Sequence, residues 1–583
     1  MPERKSDRGR SQKISFLLDY GAMKYLFIIG LFLCCAVSWS YDAQADHPLF
    51  PAKAAVVSSH PLATKAGEDI LARGGNAFDA AVAVSAMLAV VEPFGSGLGG
   101  GGFWLIYDVK TNSYNMLDAR EMAPQAATAD MYLDHHGNPV PGLSTEGPLS
   151  AGIPGLPAAL ANIAENYGSF ELGALLQSAI RAAQDGFAVD RRYITGAEYK
   201  LDLLRQNPEA ARIFLDNNAL PAPGWVLKQP DLAKTLTLIA QNGAAGFYEG
   251  ELAERLVKDI AKHGGIWTLE DKKAYHVVNR TPVTGTYKGT KIIAAALPSS
   301  GGITLINSLN ILSNFNLATQ DAVTQKHLII EALRRAYHER AEYLGDSDFV
   351  EVPTERLLSA EHATAQSRSI NLAQATKSDT LSLDAPAQNK GTETTHFAVI
   401  DREGNRVAVT QSINFWFGAG FVPKGTGVLL NNQMDDFVIK PGVENGYQLI
   451  GTKANAVAPG KRMLSSMTPT FLESDQGVAI LGTPGGSRII SMVLLAALDR
   501  MQGTDGKTIV ARPRFHHQFQ PDEVFYESGA FSDEEIRTLK RKGHHLTPVT
   551  RRYGNMQIIL WDYKDNTVKT FSDPRGKGDE HVY

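Results

Sequence analysis

Cysteine is almost missing from this 583-residue sequence: there are two, Cys34 and Cys35, both inside one short apolar run near the N-terminus. Beyond that run no disulfide, thiolate metal site or cysteine nucleophile can be built. The pattern G-x-S-x-G is absent, so a serine hydrolase with a nucleophile elbow has no support. H-E-x-x-H is absent too, and His516-His517, adjacent in sequence, is poor metal spacing. No long basic run or aromatic-basic stripe occurs, and the formal net charge is -5, so nothing argues for nucleic-acid binding. Hydrophobic residues make up 44% and charged residues 20%, the balance of a globular protein.

The longest apolar stretch, Tyr25 to Val37, is short for a membrane span. It follows Met23-Lys24 and precedes Ala43-Gln44-Ala45, a small-x-small cleavage pattern. We expect a signal peptide ending near Ala45, a mature start at Asp46, and a periplasmic or secreted protein. The polar stretch before it is unusual for a signal, which makes Met23 an alternative initiator; an uncleaved signal anchor is the alternative to cleavage.

Glycine is concentrated in Gly95-Ser96-Gly97-Leu98-Gly99-Gly100-Gly101-Gly102. These residues satisfy G-x-G-x-x-G formally, but a dinucleotide site needs strand, glycines, then helix. The order here is helix, glycines, then the apolar strand from Phe103 to Tyr107, so a close backbone approach near a pocket is expected instead. Upstream, a helix stops at Gly74-Gly75 and Asn76 caps a second, Ala77 to Val90. Helical periodicity recurs at 156–167, 173–186, 232–242, 251–263 and 324–344. Strand patterns recur at 291–296, 395–400, 406–413, 478–481 and 556–561. The mixture is α/β or α+β, with no internal repeat. The polar segment 377–390 reads as a loop ending just before Thr394.

Thr395 to Ile400 and Arg406 to Ile413 flank Asp401-Arg402-Glu403-Gly404-Asn405, a hairpin with Gly404 in the left-handed position. Pairing Asp401 with Asn405 puts Thr394 opposite Ser412, with side chains about 5 Å apart. Asn414 shares the face of Ser412 by the period of two. Threonine is a poor nucleophile unless a base adjoins it. If the Glu393–Thr394 bond breaks, the new α-amine, titrating near ~8, supplies that base on the same residue. On the hairpin pattern alone, an ordinary hairpin with a threonine at its edge is the better explanation.

The surrounding segments decide between them. Thr394-Thr395-His396, Asn431-Asn432-Gln433-Met434-Asp435-Asp436-Phe437, Ser465-Ser466-Met467 and Gly482-Thr483-Pro484-Gly485-Gly486-Ser487-Arg488 occur in that order. Leu117-Asp118-Ala119-Arg120-Glu121-Met122-Ala123-Pro124 precedes them, with Pro298-Ser299-Ser300-Gly301-Gly302 between and Pro513-Arg514-Phe515-His516-His517 after. From about Ala54 to the C-terminus this set resembles the γ-glutamyltransferase family of N-terminal nucleophile hydrolases.

The resemblance implies an α+β fold, a four-layer αββα sandwich. It implies a precursor that cuts itself between Glu393 and Thr394 into a large subunit, 46–393, and a small one, 394–583, which form one intertwined domain after the 1–45 leader. Thr394 would be the nucleophile and its amine the base. Ser412 falls where the family commonly has a second threonine, and Gly485 and Gly486 match the oxyanion-hole backbone. Arg120, Ser465 and Ser466 would hold the α-carboxylate of a γ-glutamyl donor such as glutathione; Asp436, Gln433 and Asn414 would hold its ammonium. The stretch from Pro441 to Val457 resembles a lid loop of some members, with Tyr447 meeting Asn414 over the pocket. Acceptors would be water, amino acids or peptides, and neither cofactor nor metal is implied. The alternatives are a cephalosporin or glutaryl acylase of the same fold, and an uncleaved homologue that only binds peptides. Asn414-Phe415-Trp416-Phe417 departs from the small polar residues often found after that asparagine.

Overall fold

The hairpin around Gly404 forms in the register its sequence predicts. In the computed structural model, which describes residues 47–381 and 394–583, Thr395–Ile400 runs antiparallel to Arg406–Ser412, with Thr395 opposite Gln411 and Ile400 opposite Arg406. Gly404 sits at φ +92°, the left-handed conformation that costs glycine least. The predicted leader with Cys34, Cys35 and Ala45, and Glu393 with most of the polar loop before it, lie outside the described residues.

This hairpin is the centre of a seven-stranded antiparallel sheet. Its order is Asp579–Val582, Ala55–Ser58, Thr395–Ile400, Arg406–Ser412, Gly101–Asp108, Ser113–Ala119 and Val278–Arg280. A six-stranded antiparallel sheet lies against it, in the order Thr567–Ser572, Gln557–Asp562, Gly477–Gly482, Thr470–Ser474, Thr290–Ala294 and Val283–Tyr287. Alternation along each strand builds the layers. Phe397 and Val399 pack among Phe78, Val82 and Leu88 of the outer helix Ala77–Val91. Ala398 and Ile400 face inward with Phe471 and Ile480 of the second sheet. Beyond that sheet lie the helices Gly301–Leu312, Ala322–Tyr343 and Ile489–Met501. The result is the expected four-layer αββα sandwich. Each fully buried Val, Ile or Phe contributes roughly 1.5–3 kcal/mol to it.

Helix and strand bounds differ from the periodicity reading by a few residues at most; the 324–344 pattern, for example, becomes Ala322–Tyr343 because Asp321 caps it. Helices Gly301–Leu312 and Ile489–Met501 are not legible from periodicity: eleven of twelve and eleven of thirteen of their residues are buried, so no polar stripe marks a period. The glycine run is a close approach, as expected. A Cβ on Gly100 would lie 2.0 Å from the Ser412 carbonyl oxygen, and one on Gly101 would lie 2.2 Å from that of Ala119. Gly100 thus lets the chain close on Ser412 from the side opposite Thr394, and Gly101 lets it close on the end of the next strand, Ser113–Ala119.

Candidate active site

Thr394 sits at the mouth of the central hairpin, one residue before its strand, and is 3% exposed. Its Oγ1 lies 3.2 Å from Ser412 Oγ. Ser412 Oγ also accepts the Asn414 backbone N–H at 2.8 Å, which fixes the hydroxyl facing Thr394. Asn414 adopts φ +79°, a conformation asparagine tolerates better than most residues. That bend turns its side chain back, where Nδ2 donates to the Asn432 carbonyl at 2.9 Å. The nearest histidine in sequence, His396, is no base for Thr394. It bonds Thr410 Oγ1 through Nδ1 at 2.8 Å, and burial between the sheets lowers it to about 3.

One cleft gathers Thr394 with Arg120, Ser412, Asn414, Gln433, Asp436, Tyr447, Ser465, Ser466 and Gly486. Gly485 is placed differently. It lines an adjoining, larger cavity on the other side of the same turn. Gly485 and Gly486 adopt φ +142° and +57° and lead through a 3-10 turn into the helix Ile489–Met501. A Cβ on Gly486 would lie 2.2 Å from the Tyr447 ring, so the turn also needs glycine for space.

Arg120 follows the strand Ser113–Ala119 and is fully buried. Its Nε donates to the Met463 carbonyl at 3.1 Å, and its Nη2 donates to Asp436 Oδ2. Gln433 Nε2 reaches the same carboxylate at 3.2 Å. Burial raises the Asp436 carboxyl above the usual range, and the Arg120 guanidinium draws it back. Among the described residues, three buried polar atoms on cleft residues make no hydrogen bond: Arg120 Nη1, Asn414 Oδ1 and Gln433 Oε1. Glu121 Oε2, 3.6 Å from Arg120 Nη1, is its nearest carboxylate besides Asp436, and burial pushes Glu121 up to about 7. Buried polar atoms without partners are rare in folded proteins. Here one donor and two acceptors flank a carboxylate.

The adjacent acid, Asp435, has a different task. It accepts from Ser144 Oγ at 2.7 Å and from the Gly446 N–H at 2.8 Å, tying down the loop that carries Tyr447. Tyr447 Oη donates to the Asn414 carbonyl at 3.4 Å and its ring packs on Phe415 at 4.7 Å. The Ser299-Ser300 motif braces the serine pair: Ser300 Oγ donates to the Ser465 carbonyl at 2.6 Å. It also accepts Arg340 Nε at 3.0 Å, and Arg340 Nη2 reaches Ser466 Oγ at 3.3 Å. Arg340 is a second buried guanidinium in the cleft, lowered to about 10 by burial. Sequence reasoning missed it. Within His338-Glu339-Arg340-Ala341-Glu342 it reads as part of a solvated helix face, and no motif marks it. His516 is likewise structural: Nδ1 bonds Ser491 Oγ and Nε2 bonds Gln518 Oε1, each at 2.8 Å.

A four-layer sandwich with a threonine hydroxyl at the start of a central strand, beside an inter-sheet cleft, defines an N-terminal nucleophile hydrolase fold. The family described as "Gamma-glutamyltranspeptidase" matches residues 63–583, and the chain belongs to it. It is 40% identical over 551 residues to a glutathione hydrolase proenzyme of Escherichia coli (strain K12), covering 93% of this chain and 94% of that protein. A glutathione hydrolase proenzyme of Bacillus subtilis (strain 168) is 36% identical over 544 residues, covering 90% of each. Among solved structures, a cephalosporin acylase from Bacillus halodurans superposes with a TM-score of 0.80 at 27% identity, over 93% of this chain and 98% of that one. The gamma-glutamyltranspeptidase of Helicobacter pylori has a TM-score of 0.54 at 41% identity, over 55% of this chain and 92% of that one.

Proposed function

We propose that this enzyme is a glutathione hydrolase and γ-glutamyltransferase that matures by cutting itself between Glu393 and Thr394. The observation that carries the reading is the polarity of the cleft beside Thr394. Arg120 Nη1 offers a donor for an α-carboxylate; Asn414 Oδ1, Gln433 Oε1 and the Asp436 carboxylate offer acceptors for an α-ammonium. A γ-glutamyl group carries both charges, and a guanidinium suits its carboxylate.

In maturation, Thr394 Oγ adds to the Glu393 carbonyl carbon. The peptide C–N bond breaks, an ester forms, and the hydroxyl proton passes to the departing nitrogen. Water then hydrolyses the ester. This leaves subunits 46–393 and 394–583, and Thr394 gains a free α-amine. In turnover the amine takes the hydroxyl proton while Oγ attacks the γ-carbonyl of the donor. The proton goes on to the leaving amine as the C–N bond breaks, and Thr394 keeps the γ-glutamyl ester. Water releases glutamate, or an amino acid or peptide amine takes the acyl group. The Gly485–Gly486 turn, aimed by the helix after it, stabilises the oxyanion, and Ser412 orients the hydroxyl. Tyr447 and its loop, held by Asp435, cover the acyl group and bias the choice of acceptor.

The likeness to a cephalosporin acylase leaves a glutaryl substrate in play, but Asp436 would then face no ammonium. An uncleaved binding protein is the other alternative. N-terminal sequencing of the smaller fragment tests the central claim: Thr394 is expected as its first residue. Thr394→Ala is expected to remain one chain on a denaturing gel and to hydrolyse no γ-glutamyl anilide. A Thr394→Ala protein that still separates into two fragments would refute self-cleavage by this hydroxyl.

A further inference from the structure

Next to the Thr394 cleft lies a second cavity of about 720 Å3. The Gly485–Gly486 turn and the segment from Asn414 to Trp416 separate the two: Gly486 and Asn414 line the cleft, and Gly485 and Trp416 line the vestibule. Its charge runs against that of the chain. The whole protein carries a formal -5, yet Arg191, Arg192, Arg488, Arg551, Arg552 and Lys577 line this cavity, with Asp190 the one carboxylate among the described lining residues. Some of that charge is balanced locally, Arg192 by Glu92 at 3.6 Å and Lys577 by Asp190 at 4.0 Å. A further lining cation, Arg575, is neutralised by Glu527 and Asp573. Arg191, Arg551 and Arg552 are exposed. Arg488 stands at the wall shared with the oxyanion turn. Its guanidinium lies 5.1 Å from the Tyr553 ring centre, and its buried Nε makes no hydrogen bond with the described residues. Arg551 lies 5.0 Å from the Trp416 ring centre, so the tryptophan that departs from the family pattern helps seat a cation at the boundary.

In the γ-glutamyl reading of the cleft, the donor's γ-glutamyl end lies at Arg120 and Asp436 and its amide lies at the Gly485–Gly486 turn, whose Gly485 lines this vestibule. We propose that the vestibule binds the amine portion of γ-glutamyl donors that carry several carboxylates, selecting acidic γ-glutamyl peptides over neutral ones. The inference rests on the γ-glutamyl reading of the cleft. Clustered cations beside a reactive centre raise the local concentration of anions and weaken as salt screens them.

A matched pair of peptides tests it: γ-glutamyl-Glu-Glu against γ-glutamyl-Gln-Gln-amide, which differ in charge and little in shape. The matured enzyme is expected to favour the acidic peptide in kcat/KM by at least about tenfold at low salt, with most of that preference lost near about 0.5 M NaCl. The triple variant Arg191→Gln, Arg552→Gln, Lys577→Gln is expected to bring the ratio down severalfold while γ-glutamyl anilide turnover stays within about twofold of the parent. A parent ratio near one, or a ratio the triple variant leaves unchanged, would overturn the vestibule while anilide turnover upholds the cleft. Loss of anilide turnover in the parent enzyme would overturn the cleft reading and the vestibule with it.

Discussion

Asp436→Asn separates a carboxylate that binds substrate from one that only balances Arg120. The substitution keeps the shape of the side chain and the contact with Gln433 Nε2, 3.2 Å away, and removes one negative charge. A hydrogen bond to a charged group contributes about 1.5–3 kcal/mol. Losing it from a bound α-ammonium corresponds to a fall in kcat/KM of roughly 10- to 150-fold. Arg120 also loses a counter-ion, but Glu121 Oε2 stays 3.6 Å from its Nη1, so above about pH 7, where Glu121 is ionised, the guanidinium keeps a carboxylate neighbour. The two effects part company on a substrate without the ammonium. A glutaryl anilide keeps the carboxylate for Arg120 and lacks the group Asp436 would meet. On the matured enzyme, γ-glutamyl anilide hydrolysis is expected to fall by that factor and glutaryl anilide hydrolysis by less than about threefold. Melting temperature checks that the fold is intact. An equal loss on both substrates would refute the reasoning, because Asp436 would then act only through Arg120.

Ser412→Ala removes the hydroxyl 3.2 Å from Thr394 Oγ1 and is expected to slow self-cleavage, whereas Ser412→Thr adds the methyl that fixes the rotamer and is expected to speed it; a gel time course measures both. Gly486→Ala puts a Cβ 2.2 Å from the Tyr447 ring at φ +57°, and kcat is expected to drop by about 100-fold with less change in KM, as for a lost oxyanion contact. Glu121 titrates at about 7 in the fold against 4.5 ordinarily. Between those values the folded protein binds the extra proton, so stability falls as pH rises from 4.5 to 7, by up to about 3 kcal/mol. Glu121→Gln is expected to remove that slope, read as the difference in denaturation midpoint between variant and parent across that range.

Much of the site was legible because its parts obey local rules. The hairpin register follows from the period of two and one left-handed glycine, and it alone brings Thr394 and Ser412 together. Asn76 as a helix cap and the glycine run as a close approach follow from equally local chemistry. Motif order supplied the rest of the cleft. Arg340 stayed hidden because a buried cation on a helix carries the same letters as a solvated one. Only the packing of Ala322–Tyr343 behind the second sheet turns it toward Ser300 and Ser466.

By itself, the sequence determined which hairpin carries Thr394, what lies opposite it, and which charged and polar residue types are on hand. Tertiary structure decided the rest, because burial and convergence depend on contacts hundreds of residues apart. It paired Arg120 with Asp436, gave Asp435 to the Tyr447 loop, and divided Gly485 from Gly486 between two cavities. It also gathered cations from the segments 191–192, 488, 551–552 and 577 around one opening. No local period or motif could bring them together, since their nearness exists only once the two sheets are stacked.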